Sequence, residues 1–128
     1  MAEHSVRVSW ICDPEDALWG LLHDAGEAYL NDIVRPAKTL LPDYQALEHR
    51  VLAKIARHYG LELPIPDSVH RADLVMCATE ARDMLHGDAP AHWNLPYPPL
   101  TQPCDPWDWH LARARFLARY HELIDQER

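Results

Sequence analysis

Apolar positions recur at helical spacing along most of the chain, and the elements they predict are helices. Val6, Val8, Trp10 and Ile11 make Glu3 to about Ile11 a short apolar element that fits a helix or a strand. The run 13-DPED-16 then reads as a helix start. Asp13 takes the N-cap, Pro14 the first helical position, and Asp16 follows three residues after the cap. Leu18, Leu21, Leu22 and Ala25 continue the helix to about Leu30. Pro36 and Pro42 cut the next stretch into short pieces. A helix opening at Asp43 carries the stripe Tyr44, Leu47, Val51, Leu52 and Ile55 and stops at Gly60, a glycine in C-cap position. After the connector 61-LELPIPDS-68, a helix from Pro66–Asp67 to about Leu85 turns Val69, Ala72, Met76 and Thr79 to one side. From His86 to Pro106 six prolines exclude regular structure. A last helix, Trp107 to about Asp125, carries Leu111, Ala114, Phe116, Leu117 and Tyr120.

The helix expected over 14–30 holds an anomaly. His23 and Asp24 stand together on its otherwise apolar course, and Glu27 follows one turn later. Adjacent positions lie about 100° apart around a helix, so both side chains reach a common point beside it. Glu27, three and four residues on, shares that face. A nitrogen donor, an oxygen donor and a free carboxylate are thereby collected, which suits a metal ion with a proton carrier beside it. Asp73, flanked by Val69, Ala72 and Met76, is expected to face inward, where a carboxylate needs a cationic partner. His4 supplies a further imidazole from the first element.

Composition narrows the classes. A chain of 128 residues, 48% hydrophobic, fits one domain with a packed core. A net charge of −8 leaves no broad basic surface, so no nucleic-acid polymer is expected as a partner. Cys12, Cys77 and Cys104 form no CxxC pair, which points away from a zinc knuckle or disulfide framework and toward a reducing, cytoplasmic setting. No apolar run approaches membrane-spanning length, and no membrane association is expected.

The order His4, then His23–Asp24, then Asp73 resembles the H…HD…D pattern of HD-domain metal-dependent phosphohydrolases. The blocks 3-EHSVRVS-9, 20-GLLHDAGEAYLNDIVRPAK-38 and 71-RADLVMCATEARDML-85 are similar to the bacterial 5′-deoxynucleotidase and phage deoxynucleoside triphosphate hydrolase branch. The resemblance covers residues 2–85, and the last helix more loosely. It implies an all-α, HD-type helical bundle over 1–128, with a proline-rich loop before the C-terminal helix. It also implies one divalent metal (Mn, Co, Fe, Ni, Zn or Mg) held by His4, His23, Asp24 and Asp73, with Glu27 as general acid/base. Asp32 would orient the sugar, leaving group or attacking water, and Lys38 would meet phosphate. The implied reaction removes phosphate from a (deoxy)nucleotide. The alternatives are an impaired metal- and nucleotide-binding protein and a nucleotide phosphodiesterase. Relatives carry a few dozen residues before the first histidine, against three here. This departure predicts altered substrate affinity and exposed core surface favouring a homodimer. Glu80, Arg82 and Asp83 read as a salt-linked structural cluster, and His49, His58, His70, His86, His92, His110 and His121 as structural histidines. Trp93, Trp107 and Trp109 are expected to close the loop over the core.

Overall fold

The computed structural model describes residues 1–85 and 93–126; His86, Pro90 and His92, part of the expected loop, lie outside them. Among the described residues the chain is all helix and loop, with no strand. The helices are α1 (Ala2–Ile11), α2 (Ala17–Leu22), α3 (Glu27–Leu30), α4 (Arg35–Lys38), α5 (Pro42–Tyr59), α6 (Asp67–Met84) and α7 (Trp109–Gln126), with a 3-10 turn at Pro14–Asp16.

The first element is a helix, and its burial explains its ambiguous pattern. α1 packs against α2, α6 and α7, so Ser5, Val6, Val8 and Ser9 are all buried. A helix enclosed on several sides shows no single apolar stripe. Small residues let α1 and α2 approach closely. A Cβ placed on Gly20 would lie 2.9 Å from both Ser9 Cα and Cys12 Sγ. Arg119 of α7 fastens the other side, donating from Nη2 to the Ser9 carbonyl at 3.0 Å and from Nε to Ser9 Oγ at 3.2 Å.

Leu18, Trp19, Leu21 and Leu22 of α2 join Val6 and Val8 of α1 and Val69, Ala72 and Met76 of α6 in one core. α5 meets this core through its second half, where Ala56 is buried and Leu52 and Tyr59 pack against the cluster. Gly60 closes α5 in the left-handed conformation, φ +69°, as the sequence predicts.

Four boundaries differ from expectation. Asp13 makes no side-chain cap bond; Asp16 instead accepts a hydrogen bond from the Ser68 hydroxyl and ties the 3-10 turn to α6. α5 opens at Pro42 rather than Asp43, since proline is favoured in a first helical turn. The helix expected to reach Leu30 is interrupted after Leu22. α7 starts two residues later than expected and presents Ala112, Phe116, Tyr120 and Leu123 to the core, leaving Leu111, Ala114 and Leu117 exposed.

The proline-rich loop is held by polar groups of α1 and α6. Leu100 N donates to Thr79 Oγ1 at 2.9 Å, Cys104 N to Asp83 Oδ2 at 2.8 Å, and Trp107 N to Glu3 Oε2 at 3.0 Å. Trp107 packs against the core between the guanidinium groups of Arg7 and Arg115, whereas Trp109 is largely exposed and Trp93 about half so. No helix among the described residues is long and apolar enough to cross a membrane.

Candidate metal centre

The break after α2 shapes the site. From Leu22 to Tyr29 the backbone makes tight i→i+3 bonds, including Ala25 N to Leu22 O at 2.9 Å and Glu27 N to Asp24 O at 3.0 Å. His23 retains helical backbone angles, so its ring folds back along α2 and Nδ1–H donates to the Gly20 carbonyl at 2.7 Å. A carbonyl can only accept, so this bond assigns the proton to Nδ1 and leaves Nε2 as a lone pair.

That lone pair is buried and has no hydrogen-bond partner. Asp24 Oδ2 lies 3.3 Å from it without hydrogen-bond alignment, and Asp73 Oδ1 lies 4.0 Å away. An acceptor facing two carboxylate oxygens calls for a cation or a proton between them. His4, from α1, points its Nε2 at the same place, 3.0 Å from Asp73 Oδ1. His4, His23 and Asp73 each offer a ligand atom within 4.8 Å of the others, and Asp24 adjoins them through His23. Two imidazoles and two carboxylates form a mixed nitrogen and oxygen donor set of the kind that holds first-row divalent ions. Three of the four expected ligands, His4, His23 and Asp73, therefore meet from three separate stretches of chain, while Asp24 lies beside His23. Asp73 is less enclosed than expected, its side chain 41% exposed on the open side of the cluster.

Electrostatics follow the geometry. Burial would lower the His4 pKa, but hydrogen bonds to Asp73 and Glu80 and their charges outweigh it and raise it from 6.5 to about 10. Burial likewise opposes the charged form of His23, and Asp24 and the Gly20 carbonyl overcome it, giving a raised pKa. Asp24 is buried, which favours its neutral form, yet His23 and His4 hold its pKa below the usual value. Glu27 is raised, first by burial and then by the charges of Asp24 and Asp32.

A cavity of about 240 Å³ opens over His23 and Asp24, bounded by Glu27, Lys38, Glu48, His49 and Leu52. Glu27 and Lys38 both line this cavity with His23 and Asp24. Lys38 Nζ donates to Glu48 Oε1 at 2.8 Å and lies 3.9 Å from Asp32 Oδ1. Asp32 is mostly exposed and approaches this group at Lys38. Sequence reasoning missed Glu48 and the wall position of His49, because α5 carries no recognisable motif. It also read Glu80 as structural, whereas Glu80 contacts His4. The seven-residue spacing from Asp73 was a usable signal, since it returns to nearly the same helix face.

Fold and cluster together define an all-α chain with a histidine and carboxylate cluster that adjoins a cavity through His23. Among curated proteins, it is similar to one from Escherichia coli (strain K12) described as uncharacterized protein YfdR, with 45% identity over 84 residues. The match takes in 66% of this chain and 47% of the relative, so the chain spans about half that protein's length. No family model matches the chain, and no solved structure matches it.

Proposed function

We propose that the chain is an HD-domain, metal-dependent phosphohydrolase that removes phosphate from a (deoxy)nucleotide. The observation that carries the reading is the buried, unpartnered Nε2 of His23, which lies near donor atoms of His4 and Asp73 and beside Asp24, an arrangement a cation would satisfy. The order and sequence context of these residues in the three blocks support the same class.

His4, His23, Asp24 and Asp73 would hold one divalent ion. When bound, such an ion supplies a water of lowered pKa and neutralises charge on a phosphate oxygen. Glu27 lies on the cavity wall with a pKa raised by burial and by Asp24 and Asp32, which suits a group that takes and returns a proton. Lys38 also lines the cavity, and a phosphate bound there would compete with Glu48 for its ammonium. Asp32 lies 3.9 Å from Lys38 Nζ, from where it would orient a polar group of the substrate.

A homodimer in the cytoplasm belongs to the same proposal. An apolar groove of about 310 Å³ beside α3 and α5, bordered by Ala28, Tyr29 and Ile55, supports the association, and three free cysteines support the setting. Light scattering after size exclusion tests the first.

The test of function is phosphate release from deoxynucleoside mono- and triphosphates with added Mn or Co. Activity that is metal-dependent and lost in Asp24→Ala is expected. Activity surviving Asp24→Ala would remove the metal mechanism. Stoichiometric metal binding without turnover on any nucleotide would leave a binding protein in place of an enzyme.

A further inference from the structure

His4 reaches the cluster differently from the other donors. It lies at the third position of α1, and its ring fills the seam between α1 and α6. Both ring nitrogens meet carboxylates of α6. Nε2 is 3.0 Å from Asp73 Oδ1, and Nδ1 is 3.0 Å from both Oε1 and Oε2 of Glu80. Seven residues make two turns of helix and return to the same face within about 20°. Asp73 and Glu80 therefore line one stripe of α6, with the imidazole spanning the gap between them. The two contacts are unequal in kind. Asp73 shares its side of the ring with His23, 4.0 Å from Nε2 of that residue. Glu80 sits behind His4 and makes no contact with His23 or Asp24, so its place is outside the donor set.

We propose that Glu80 is the positioning residue of this centre: by accepting the Nδ1–H of His4 it fixes the ring's tautomer and tilt, so that Nε2 is presented to the space shared with His23 and Asp73. This rests on the reading of that space as a metal site. The two histidines are then oriented alike, each with Nδ1–H tied and Nε2 turned toward the shared space, but by different devices. His23 uses a carbonyl of its own helix, three residues back. His4 takes its acceptor instead from another helix, α6, 76 positions away. A carboxylate behind an imidazole also makes the opposite nitrogen a better donor, and loss of such a partner commonly lowers metal affinity about 10–100-fold.

The experiment compares wild type, Glu80→Ala and Glu80→Gln by calorimetric titration with Co, by the visible absorption of the bound ion, and by nitrogen NMR of the zinc-loaded histidines. Glu80→Gln keeps an oxygen acceptor at Nδ1 and should retain most of the affinity and the wild-type spectrum. Glu80→Ala should bind about 10–100-fold more weakly with an altered spectrum. Zinc-loaded wild type should show His4 protonated at Nδ1, a readout that needs no variant to fold. Wild type that binds no Co would sink the metal reading itself. Wild type that binds Co, with Glu80→Ala equal to it in affinity and spectrum or with His4 protonated at Nε2, would overturn the role of Glu80 and leave the metal site standing.

Discussion

Gly20→Ala sets two effects of opposite sign against each other. Alanine is the better helix former, and removing a glycine from a helix interior gains about 0.5–1 kcal/mol. The new methyl, however, would sit 2.9 Å from Ser9 Cα and 3.2 Å from Ser9 N, both backbone atoms of α1, where carbon contacts settle near 3.5–4 Å. Neither atom can turn away, so α1 must retreat by roughly half an ångström or more. Overpacking of this kind costs about 1–3 kcal/mol. The net expectation is a loss of roughly 0.5–2 kcal/mol. With an unfolding entropy of about 2.1 cal/mol/K per residue over 128 residues, that lowers Tm by about 2–8 °C. Because α1 carries His4 and α2 leads into His23, Co affinity should fall with it. Thermal melting by circular dichroism, with calorimetric titration, measures both. Gly26→Ala is the control: its added methyl meets only Val51 Cγ1 at 3.9 Å, and it should match or exceed wild-type stability. A Gly20→Ala protein as stable as wild type, with unchanged affinity, would refute the claim that α1–α2 contact sets the spacing of the centre.

Three further outcomes follow from the same geometry. The folded-state pKa of His4, raised to about 10, means that the metal-free native chain holds a proton the unfolded chain gives up near 6.5. That stability is present below pH 6.5 and is lost as pH rises toward 10, so denaturant midpoints of metal-free protein should fall from pH 7 to pH 8.5. Over the same window metal affinity should rise, with proton release detectable as buffer-dependent heat. Glu27→Gln should keep Co affinity and lower turnover about 10²–10⁴-fold. Thr79→Val should cost about 1–3 kcal/mol in chemical denaturation, since Thr79 is fully buried and Leu100 N–H would lose its acceptor.

The parts legible in the sequence were those written in local chemistry. The His23–Asp24 doublet, the start of α5 to within one residue and the Gly60 stop each depend on neighbours within a turn or two. What the pattern hid depends on packing. α1 alternates like a strand because three helices surround it, and its state is set by them rather than by its own periodicity. The interruption after Leu22 had only a weak composition signal, the poor helix formers Asp24 and Gly26 among residues that otherwise favour helix. On α7 Phe116 and Tyr120 pack on the core as expected, while Ala112 and Leu123 are buried where the sequence pattern points to Leu111 and Leu117, and Arg119 anchors the helix to α1. Glu48 and Glu80 became visible only through the partners that folding gives them.

The donors at His4 and Asp73 are separated by 69 positions of chain. Nothing local assembles them; they meet only when α1 is seated against α2 and α6. Occupancy of the centre would therefore report on the whole fold, and any ion that bridges these side chains would act as a clasp on the N-terminal helix. A ligand that binds only the native chain adds RT ln(1 + [L]/Kd) to its stability, about 2.7 kcal/mol at a hundredfold excess over Kd. Metal supply would then govern how long the chain survives proteolysis as well as whether it turns over substrate, so persistence and activity would rise and fall together.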